Sequence, residues 1–333
     1  MKTTGIDAVI TWVDGKEPRM LKKRQAAMNQ QIKADSENSD ATRFDSSYEI
    51  NYCVLSILKF APFFRKIHIV TDEQIPDIKQ DILNHFPSGY SKINIVDHKD
   101  IFKDIPENLP TFNARSIETN LIYIPGLADH FIFLNDDCIL IKPTTEKDFF
   151  KGNRPVLRGQ WKISSIYRNW WNKFRGYYFK LINKPFEARA SYNLGQWEAA
   201  KILGYRTKFW FVNHIPRAMN RKTLFDFFNS NEELRKKNSS YAFRSSEQFI
   251  PQSLHDHLEI KIHQNKNRIH DKEVYIKPSK RKNYISKKLE YLRSSNCKEL
   301  FLCVQSLDKA SLKDQEQIYE YLDQTIAEVD RNG

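Results

Sequence analysis

Short apolar runs that alternate with amphipathic stretches restrict the fold of this 333-residue chain more than any other feature of its sequence. Such runs are typical of buried strands, and the stretches between them carry apolar residues at helical spacing. The runs occupy residues 6–13, 66–71, 93–97 and 131–134, and the helical stretches occupy residues 48–60, 76–85 and 117–124. Strand–helix alternation of this kind predicts an α/β fold with a mostly parallel sheet flanked by helices.

Acidic residues stand where several of the predicted strands end. Asp14 and Asp72 each follow a strand, and Asp136 and Asp137 follow Asn135 between two apolar runs. Because ligands of parallel sheets bind beyond the carboxyl ends of the strands, we expect these acids on one rim. Adjacent carboxylates need compensation when they are buried, and their oxygens suit Mg²⁺ or Mn²⁺. From these residues alone, a metal site and an ordinary Asn-Asp-Asp turn are equally open.

The chain divides into four predicted segments. Residues 1–150 form the α/β half, and residues 151–206 form a helical insertion rich in aromatic and basic residues. Residues 207–310 return to the sheet, and residues 311–333 form a C-terminal helix. The aromatic residues of the insertion could line a glycan groove, stack on nucleic-acid bases or touch a membrane surface. Core packing with snorkelling Lys and Arg side chains is the alternative.

Composition limits the class of protein. The net charge of +12 predicts anionic partners, and a hydrophobic fraction of 40% is enough for a core. No window approaches the ~20 apolar residues that a transmembrane helix needs. The cysteines show no CxxC spacing, which predicts reduced core residues of a cytosolic protein. They are Cys53, Cys138, Cys297 and Cys303.

Two further residues could carry chemistry. His214, in His-Ile-Pro, is a candidate general base, because an unperturbed histidine pKa of ~6.5 suits proton transfer near neutrality. Arg244, in Phe-Arg-Ser, could neutralise phosphate charge. A structural histidine and a surface arginine are the alternatives. Four more histidines match no zinc pattern and are expected to be solvated or structural, namely His255, His257, His263 and His270.

Ordered blocks of the sequence resemble the Stealth family of hexose-1-phosphate transferases. This family includes bacterial capsular and cell-wall polysaccharide phosphotransferases and the catalytic subunit of the animal lysosomal-enzyme GlcNAc-1-phosphotransferase. The blocks are residues 6–15, the stretch from Arg43 to residue 140 with "RKIHIVTDEQIP", "LPTFNARSIE" and "IPGLADHFIFLNDDCIL", and His214-Ile215-Pro216 with Phe243-Arg244-Ser245.

The sequence departs from the family pattern at two places. Ala114-Arg115 replaces a more usual Ser-containing sequence. In the fourth block, "LFLCVQSLD" at 300–308, Gln305-Ser306 stands where the family has Asn-Asp, and Asp308 is a candidate substitute.

The resemblance implies a Rossmann-like or GT-A-like sheet and transfer of a sugar-1-phosphate from a UDP-sugar to a sugar hydroxyl. The group transferred would be N-acetylhexosamine-1-phosphate or hexose-1-phosphate, and the products would be a phosphodiester and UMP. Asp136 and Asp137 would hold Mg²⁺ or Mn²⁺, His214 would act as general base with Asp14 as its competitor, and Arg244 would stabilise developing charge. Asp137 would also belong to the catalytic group. The resemblance assigns substrate binding to Trp12, Gly15, Arg43, Thr71, Gln74, Asn113, Glu118 and Asn135.

The implied partners are a UDP-sugar donor and an oligosaccharide or polysaccharide acceptor of a bacterial capsule or wall. The expected location is cytoplasmic, with a peripheral position on the inner face of the membrane as an option. Two rival functions remain. A metal-dependent GT-A-type glycosyltransferase would release UDP instead of UMP. A basic nucleic-acid-binding module would use the +12 charge but leaves the acidic rim unexplained, so no nucleic-acid partner is expected.

Overall fold

The structure is a computed structural model that describes residues 5–30, 48–164, 174–175, 177–179, 181–182, 190–270, 274–279, 281 and 283–327. The strands in these ranges are β1 Ile6–Thr11, β2 Phe64–Thr71, β3 Ile93–Asp97, β4 His130–Asn135, β5 Cys138–Leu140, β6 Phe150–Lys151, β7 Arg154–Pro155, β8 Leu157–Arg158, β9 Gln160–Ile163, β10 Lys208–Phe211, β11 Arg217–Asn220, β12 Arg268–Ile269, β13 Val274–Ile276 and β14 Phe301–Val304.

Helices cover these strands. The α-helices of the described ranges are Pro18–Gln30, Glu49–Phe60, Lys79–His85, His98–Ile101, Ala114–Thr119, Glu146–Phe149, Tyr192–Ile202, Arg221–Ser230, Glu232–Ser239, Pro251–Lys261, Tyr284–Arg293 and Leu312–Ala327. None of these described helices has the length and apolar character that crossing a membrane requires.

The central sheet has the strand order β11-β4-β1-β2-β3. Strands β4, β1, β2 and β3 are parallel, whereas β11 runs antiparallel to β4 at the edge. Ala8 and Ile10 of β1 pack in one hydrophobic cluster, and Val9 packs in another on the opposite face. Burial on both faces explains why β1 is a continuous apolar run. The prediction of an α/β fold with a mostly parallel sheet is confirmed.

A buried carboxylate ties the first strand to its neighbours. Asp7 of β1 accepts hydrogen bonds from Arg65 Nη2 at 2.6 Å and from the backbone N–H of Ala128 at 2.8 Å. His68 Nε2 of β2 lies 3.1 Å from the same oxygen. This side chain therefore joins β1 to β2 and to the loop that precedes β4.

A smaller sheet, β13-β14-β5, packs against the Tyr284–Arg293 and Leu312–Ala327 helices through a third hydrophobic cluster. β14 runs antiparallel to β5, with Cys303 opposite Cys138. The backbone N–H of Val304 donates to the carbonyl of Asp137 at 2.9 Å. The fourth block of the sequence is therefore held beside the acid pair that follows β4.

The prediction that the insertion at residues 151–206 is helical is wrong at residues 160–163. Gln160–Ile163 forms β9, which pairs with β10 so that Trp161 lies opposite Trp210. The rings of these two tryptophans meet edge to face at 5.6 Å, and such cross-strand aromatic pairs stabilise sheets. Residues 165–173 and 183–189 lie outside the described residues, together with the aromatic residues predicted there.

Candidate active site

A cavity of about 810 Å³ lies at the carboxyl ends of β1 and β4. Trp12 lines it after β1, and Asn135, Asp136 and Asp137 line it after β4. Its other walls include His214, Arg244 and the Gln305-Ser306 pair. The first, second, third and fourth sequence blocks, which are far apart in the chain, therefore meet at one site.

Three carboxylates crowd one side of the cavity. Glu49, in the first turn of the Glu49–Phe60 helix, is buried and lines the cavity together with Asp136 and Asp137. Burial raises the pKa of Asp136 well above its usual value, and the negative charges of Asp137 and Glu49 raise it further. This crowding favours either a bound proton or a bound cation. The acid pair therefore faces a cavity and is not a simple surface turn.

His214 stands next to the acid pair. Its Nε2 lies 2.5 Å from the side-chain nitrogen of Asn135 and 3.5 Å from Asp137 Oδ1. Because an amide N–H donates, Nε2 accepts this bond and carries the lone pair in the neutral ring. The Asp137 carboxylate is placed to stabilise the ring once it takes up a proton. His214 therefore has the surroundings of a general base.

Asp137 and His214 have a third neighbour, Cys303. Ligand atoms of the three residues all lie within 4.8 Å of one another, so the group could hold a metal ion. Cys303 Sγ lies 3.5 Å from Asp137 Oδ2, and Cys138 Sγ lies 3.7 Å from Oδ1 of the same carboxylate. All four cysteines are buried thiols outside any disulfide, but these two are not in purely apolar surroundings. No sequence spacing indicated this cluster, because pairing of β5 with β14 creates it.

A group of arginines and one carboxylate forms another side of the cavity. Burial raises the pKa of Glu118, and the positive charges of Arg244 and Arg217 partly oppose this rise, as does a hydrogen bond with Gln252. Arg217 is buried, and its Nη2 donates to the Tyr192 hydroxyl at 2.6 Å. Sequence reasoning selected Glu118 and Arg244 but missed Arg217, although it directly follows His214-Ile215-Pro216.

Asn113 holds the loop that carries Arg244. It is fully buried and donates to the Phe243 carbonyl at 3.0 Å and to Gln248 Oε1 at 2.7 Å. Arg115, at the position that departs from the family pattern, donates to the Ser245 carbonyl at 3.1 Å. Asn113 is not among the cavity-lining residues, so its part in substrate binding stays a prediction.

The end of β1 is held by side chains that do not line the cavity. Gln74 Oε1 accepts from the backbone N–H of Asp14 at 2.9 Å, and Gln74 Nε2 donates to the Asp14 carbonyl at 2.9 Å. Asp14 Oδ1 accepts from the Lys16 backbone at 2.9 Å, which closes a local turn around the buried Gly15. Asp14 therefore stabilises its own turn and is not among the cavity-lining residues, so its role as competing base stays a prediction.

The other predicted residues are distributed as follows. Thr71 is buried at the end of β2, and Asp72 forms an ion pair with Lys23 at 3.2 Å. Arg43 lies outside the described residues. Asp308 does not line the cavity, whereas Lys309 does. Of the acidic strand ends that the sequence placed on one rim, the pair after β4 is the one that faces the cavity.

His98 is a cavity residue that sequence reasoning missed. It is buried, and burial lowers its pKa to about 4, although the negative charges of Asp72 and Asp97 oppose the change. Asp97 caps the short His98–Ile101 helix by accepting from the Lys99 backbone. His98 is therefore neutral at pH 7. A single histidine after a strand gave no signal by which it could have been selected.

Residues 43–156 match the family model of Stealth protein CR2, conserved region 2. The exopolysaccharide phosphotransferase SCO2594 of Streptomyces coelicolor is 30% identical over 255 residues, which are 76% of this chain and 39% of that protein. The exopolysaccharide phosphotransferase SCO6023 of the same organism is 40% identical over 148 residues, 44% of this chain and 23% of that protein. The capsular polysaccharide phosphotransferase cps1A of Actinobacillus pleuropneumoniae is 38% identical over 154 residues, 46% of this chain and 40% of that protein.

The solved structures that match this chain at low identity include glycosyltransferases. The apo bifunctional glycosyltransferase WbbM gives a TM-score of 0.45 at 13% identity, covering 98% of this chain and 50% of that chain. The galactosyltransferase LgtC in complex with donor and acceptor sugar analogues gives a TM-score of 0.43 at 11% identity, covering 98% of each chain.

The chain spans less than half the length of the three curated relatives described above. The resemblance to the Stealth family is confirmed: residues 43–156 match its conserved region 2, and the chain is similar to exopolysaccharide and capsular polysaccharide phosphotransferases.

Proposed function

We propose that the protein transfers a sugar-1-phosphate from a UDP-sugar to a hydroxyl of an oligosaccharide or polysaccharide acceptor. The observation that carries this proposal is the position of His214, whose Nε2 lies 3.5 Å from Asp137 at the floor of the cavity. Sequence similarity to proteins named phosphotransferases supports this reaction over ordinary glycosyl transfer. A volume of about 810 Å³ is within the usual range for sites that bind small molecules.

The donor set fits a hard divalent cation. Asp136, Asp137 and Glu49 offer carboxylate oxygens, and their mutual repulsion is what a cation would relieve. We assign Asp136 and Asp137 as the residues that would hold Mg²⁺ or Mn²⁺. When bound, such an ion supplies positive charge to the diphosphate of the donor.

The chain's own groups then account for the transfer. The acceptor hydroxyl replaces the Asn135 N–H at His214 Nε2. Nε2 then takes the hydroxyl proton, and the oxygen attacks the β-phosphorus of the UDP-sugar. The bond between the β-phosphorus and the oxygen bridging to the α-phosphate breaks, so that UMP leaves and a phosphodiester remains. Arg244, with Arg217 beside it, stabilises negative charge on the phosphoryl oxygens during this step. Trp12 contributes to the wall that receives the nucleotide-sugar.

The roles of the chain segments and the location of the protein are part of the same proposal. The division into segments 1–150, 151–206, 207–310 and 311–333 remains a proposal about how donor and acceptor share the chain. The net charge of +12 supports contact with the anionic inner face of a membrane, next to the machinery of capsule or wall synthesis.

The nucleotide product tests the proposed reaction. The purified protein is incubated with Mg²⁺, a panel of UDP-sugars and a crude polysaccharide acceptor, and the nucleotide released is separated by chromatography. We expect UMP together with a new phosphodiester signal in phosphorus NMR, and neither in the His214→Ala variant. Accumulation of UDP would instead show that the sugar–oxygen bond breaks, which is the glycosyltransferase alternative.

A further inference from the structure

We propose that Asp137, His214 and Cys303 form a binding site for a thiophilic divalent cation of the Zn²⁺ or Co²⁺ class. This site shares Asp137 with the oxygen-rich group that suits Mg²⁺ or Mn²⁺, but its nitrogen and sulfur ligands give it a different metal preference. The inference concerns the same cavity as the proposed reaction, but it stands whichever group the enzyme transfers.

The spacing of the ligand atoms suits a small tetrahedral ion. Metal–ligand bonds of about 2.0–2.3 Å place neighbouring ligand atoms about 3.3–3.8 Å apart. His214 Nε2 lies 3.5 Å from Asp137 Oδ1, and Cys303 Sγ lies 3.5 Å from Asp137 Oδ2. All three groups lie within 4.8 Å of one another, close to the separation that ligands of one ion have.

The sheet fixes the sulfur in this position. Cys303 is 1% exposed and lies in β14, opposite Cys138 in β5. The Val304 N–H, which donates to the Asp137 carbonyl at 2.9 Å, joins the backbone of the thiol strand to that of the carboxylate. Two of the three ligands are therefore preorganised by backbone pairing, which reduces the entropic cost of binding an ion.

The charges balance when the ion binds. The Cys303 thiol loses its proton to solvent and becomes a thiolate, Asp137 remains a carboxylate, and His214 binds as the neutral ring. Two negative charges then offset the two positive charges of the ion, so the occupied site carries no net charge. Asp137 and His214 both line the cavity, which leaves a fourth position open to solvent or substrate.

Occupancy of this site has a consequence for the reaction. The lone pair of His214 Nε2, which accepts from Asn135, is the one that the ion would take. A thiophilic ion would therefore remove the general base, whereas an ion held by oxygens of Asp136 would not. We expect Zn²⁺ to inhibit an enzyme that Mg²⁺ or Mn²⁺ supports.

Cobalt spectroscopy tests the site without any sugar substrate. The metal-free full chain is titrated with Co²⁺, and the absorption bands of tetrahedral cobalt and of thiolate-to-cobalt charge transfer are recorded. We expect one equivalent to produce both bands, and Cys303→Ser to lose the charge-transfer band. The affinity of Asp137→Asn for Co²⁺ should fall by more than about 100-fold, beyond the loss typical of an outer-shell partner.

Two cysteine variants serve as matched controls. Cys297 is buried but does not belong to the cluster, so Cys297→Ser should keep both bands. Cys138 Sγ also contacts Asp137, at 3.7 Å, and Cys138→Ser shows which thiol is the ligand. Cadmium NMR of the wild-type protein counts the sulfur ligands of the bound ion without any substitution. It therefore tests the site even if Cys303→Ser does not fold.

The results separate this proposal from the proposed function. Absence of a charge-transfer band in the wild-type protein, or a band that Cys303→Ser keeps, would overturn the metal site even if UMP is produced. A band that depends on Cys303 in a protein that releases UDP would support the metal site and reject phosphotransfer.

Discussion

Among the single substitutions considered, removal of the His214 side chain should lower turnover most. Its Nε2 accepts from Asn135 and faces Asp137, so no other described side chain occupies the same position. We expect His214→Ala to lower turnover by about 10²–10⁴-fold, the usual worth of a general base, while the fold persists. Release of UMP measures the effect, and circular dichroism checks the fold. His263→Ala, at an exposed histidine, is the matched control.

Substitution of Asp14 should affect turnover much less than substitution of His214. Its carboxylate accepts from the Lys16 backbone, and an asparagine side chain can accept the same bond. We therefore expect Asp14→Asn to lose less than about tenfold in turnover, far below the cost of removing a base. A loss as large as that of His214→Ala would return Asp14 to the list of candidate bases.

At the scale of elements, the loop carrying Arg244 depends on Asn113. Each buried partner left without a hydrogen bond costs about 1–3 kcal/mol, and Asn113 serves the Phe243 carbonyl and Gln248. We expect Asn113→Ala to lower both the free energy of unfolding and kcat, because Arg244 is displaced. Urea unfolding and steady-state kinetics measure the two effects. A higher KM for the UDP-sugar at unchanged stability would instead mean that Asn113 contacts the substrate.

Asp7 makes the first strand sensitive to acid. Burial alone would raise the pKa of Asp7, but the hydrogen bonds from His68 and Arg65 outweigh it and lower the pKa below its usual value. The stabilisation is therefore present above pH ~3.9 and is lost as pH falls through the lower pKa of the folded state. Asp7→Asn should cost about 3 kcal/mol at neutral pH and progressively less below pH ~4.

Urea unfolding at a series of pH values measures this difference between wild type and Asp7→Asn. Asp226→Asn, at an exposed helical ion pair with Lys222, is the control and should change stability by less than about 0.5 kcal/mol. A stability difference for Asp7→Asn that stays constant between neutral and acid pH would contradict the assignment.

Local pattern predicted some elements of the fold and missed others. β1, β2, β3 and β4 lie where continuous apolar runs predicted them, because burial on both faces leaves a simple signature. Gln160–Ile163 was predicted as helix, since its aromatic and basic residues fit either an amphipathic helix or an aromatic cross-strand pair. The contact that decides between them, with Trp210, is distant in sequence.

At the scale of the whole molecule, the site is a junction of distant segments. The sequence predicted that Asp136 and Asp137 face a ligand, because they follow a strand and ligands bind beyond the carboxyl ends of parallel strands. It could not predict that Glu49, Arg217 and Cys303 join them, since helix packing and the pairing of β5 with β14 leave no local periodicity. His214 and Arg244 were single candidates among structural alternatives, and the family resemblance was needed to give them roles, for the same reason.

The third hydrophobic cluster packs behind β5 and β14, the two strands that bring Asp137 and Cys303 together. Leu322 is 2% exposed and packs in the cluster that holds β14 against β5. We expect Leu322→Ala to lower the free energy of unfolding by about 2–5 kcal/mol, through lost burial and the cavity left behind. Thermal unfolding measures the change, and Leu312→Ala, which is 77% exposed, should leave Tm nearly unchanged. Equal effects at both positions would contradict the packing of this helix.

The pairing of β14 with β5 also determines when the protein can first work during its own biosynthesis. Folding slows as the contacts that must form become more distant along the chain. The contact between Cys303 and Asp137 joins two residues that lie 166 positions apart, so a nascent chain lacks this contact until β14 has emerged from the ribosome. The proposed active site is therefore completed only after the strands of the central sheet have been synthesised.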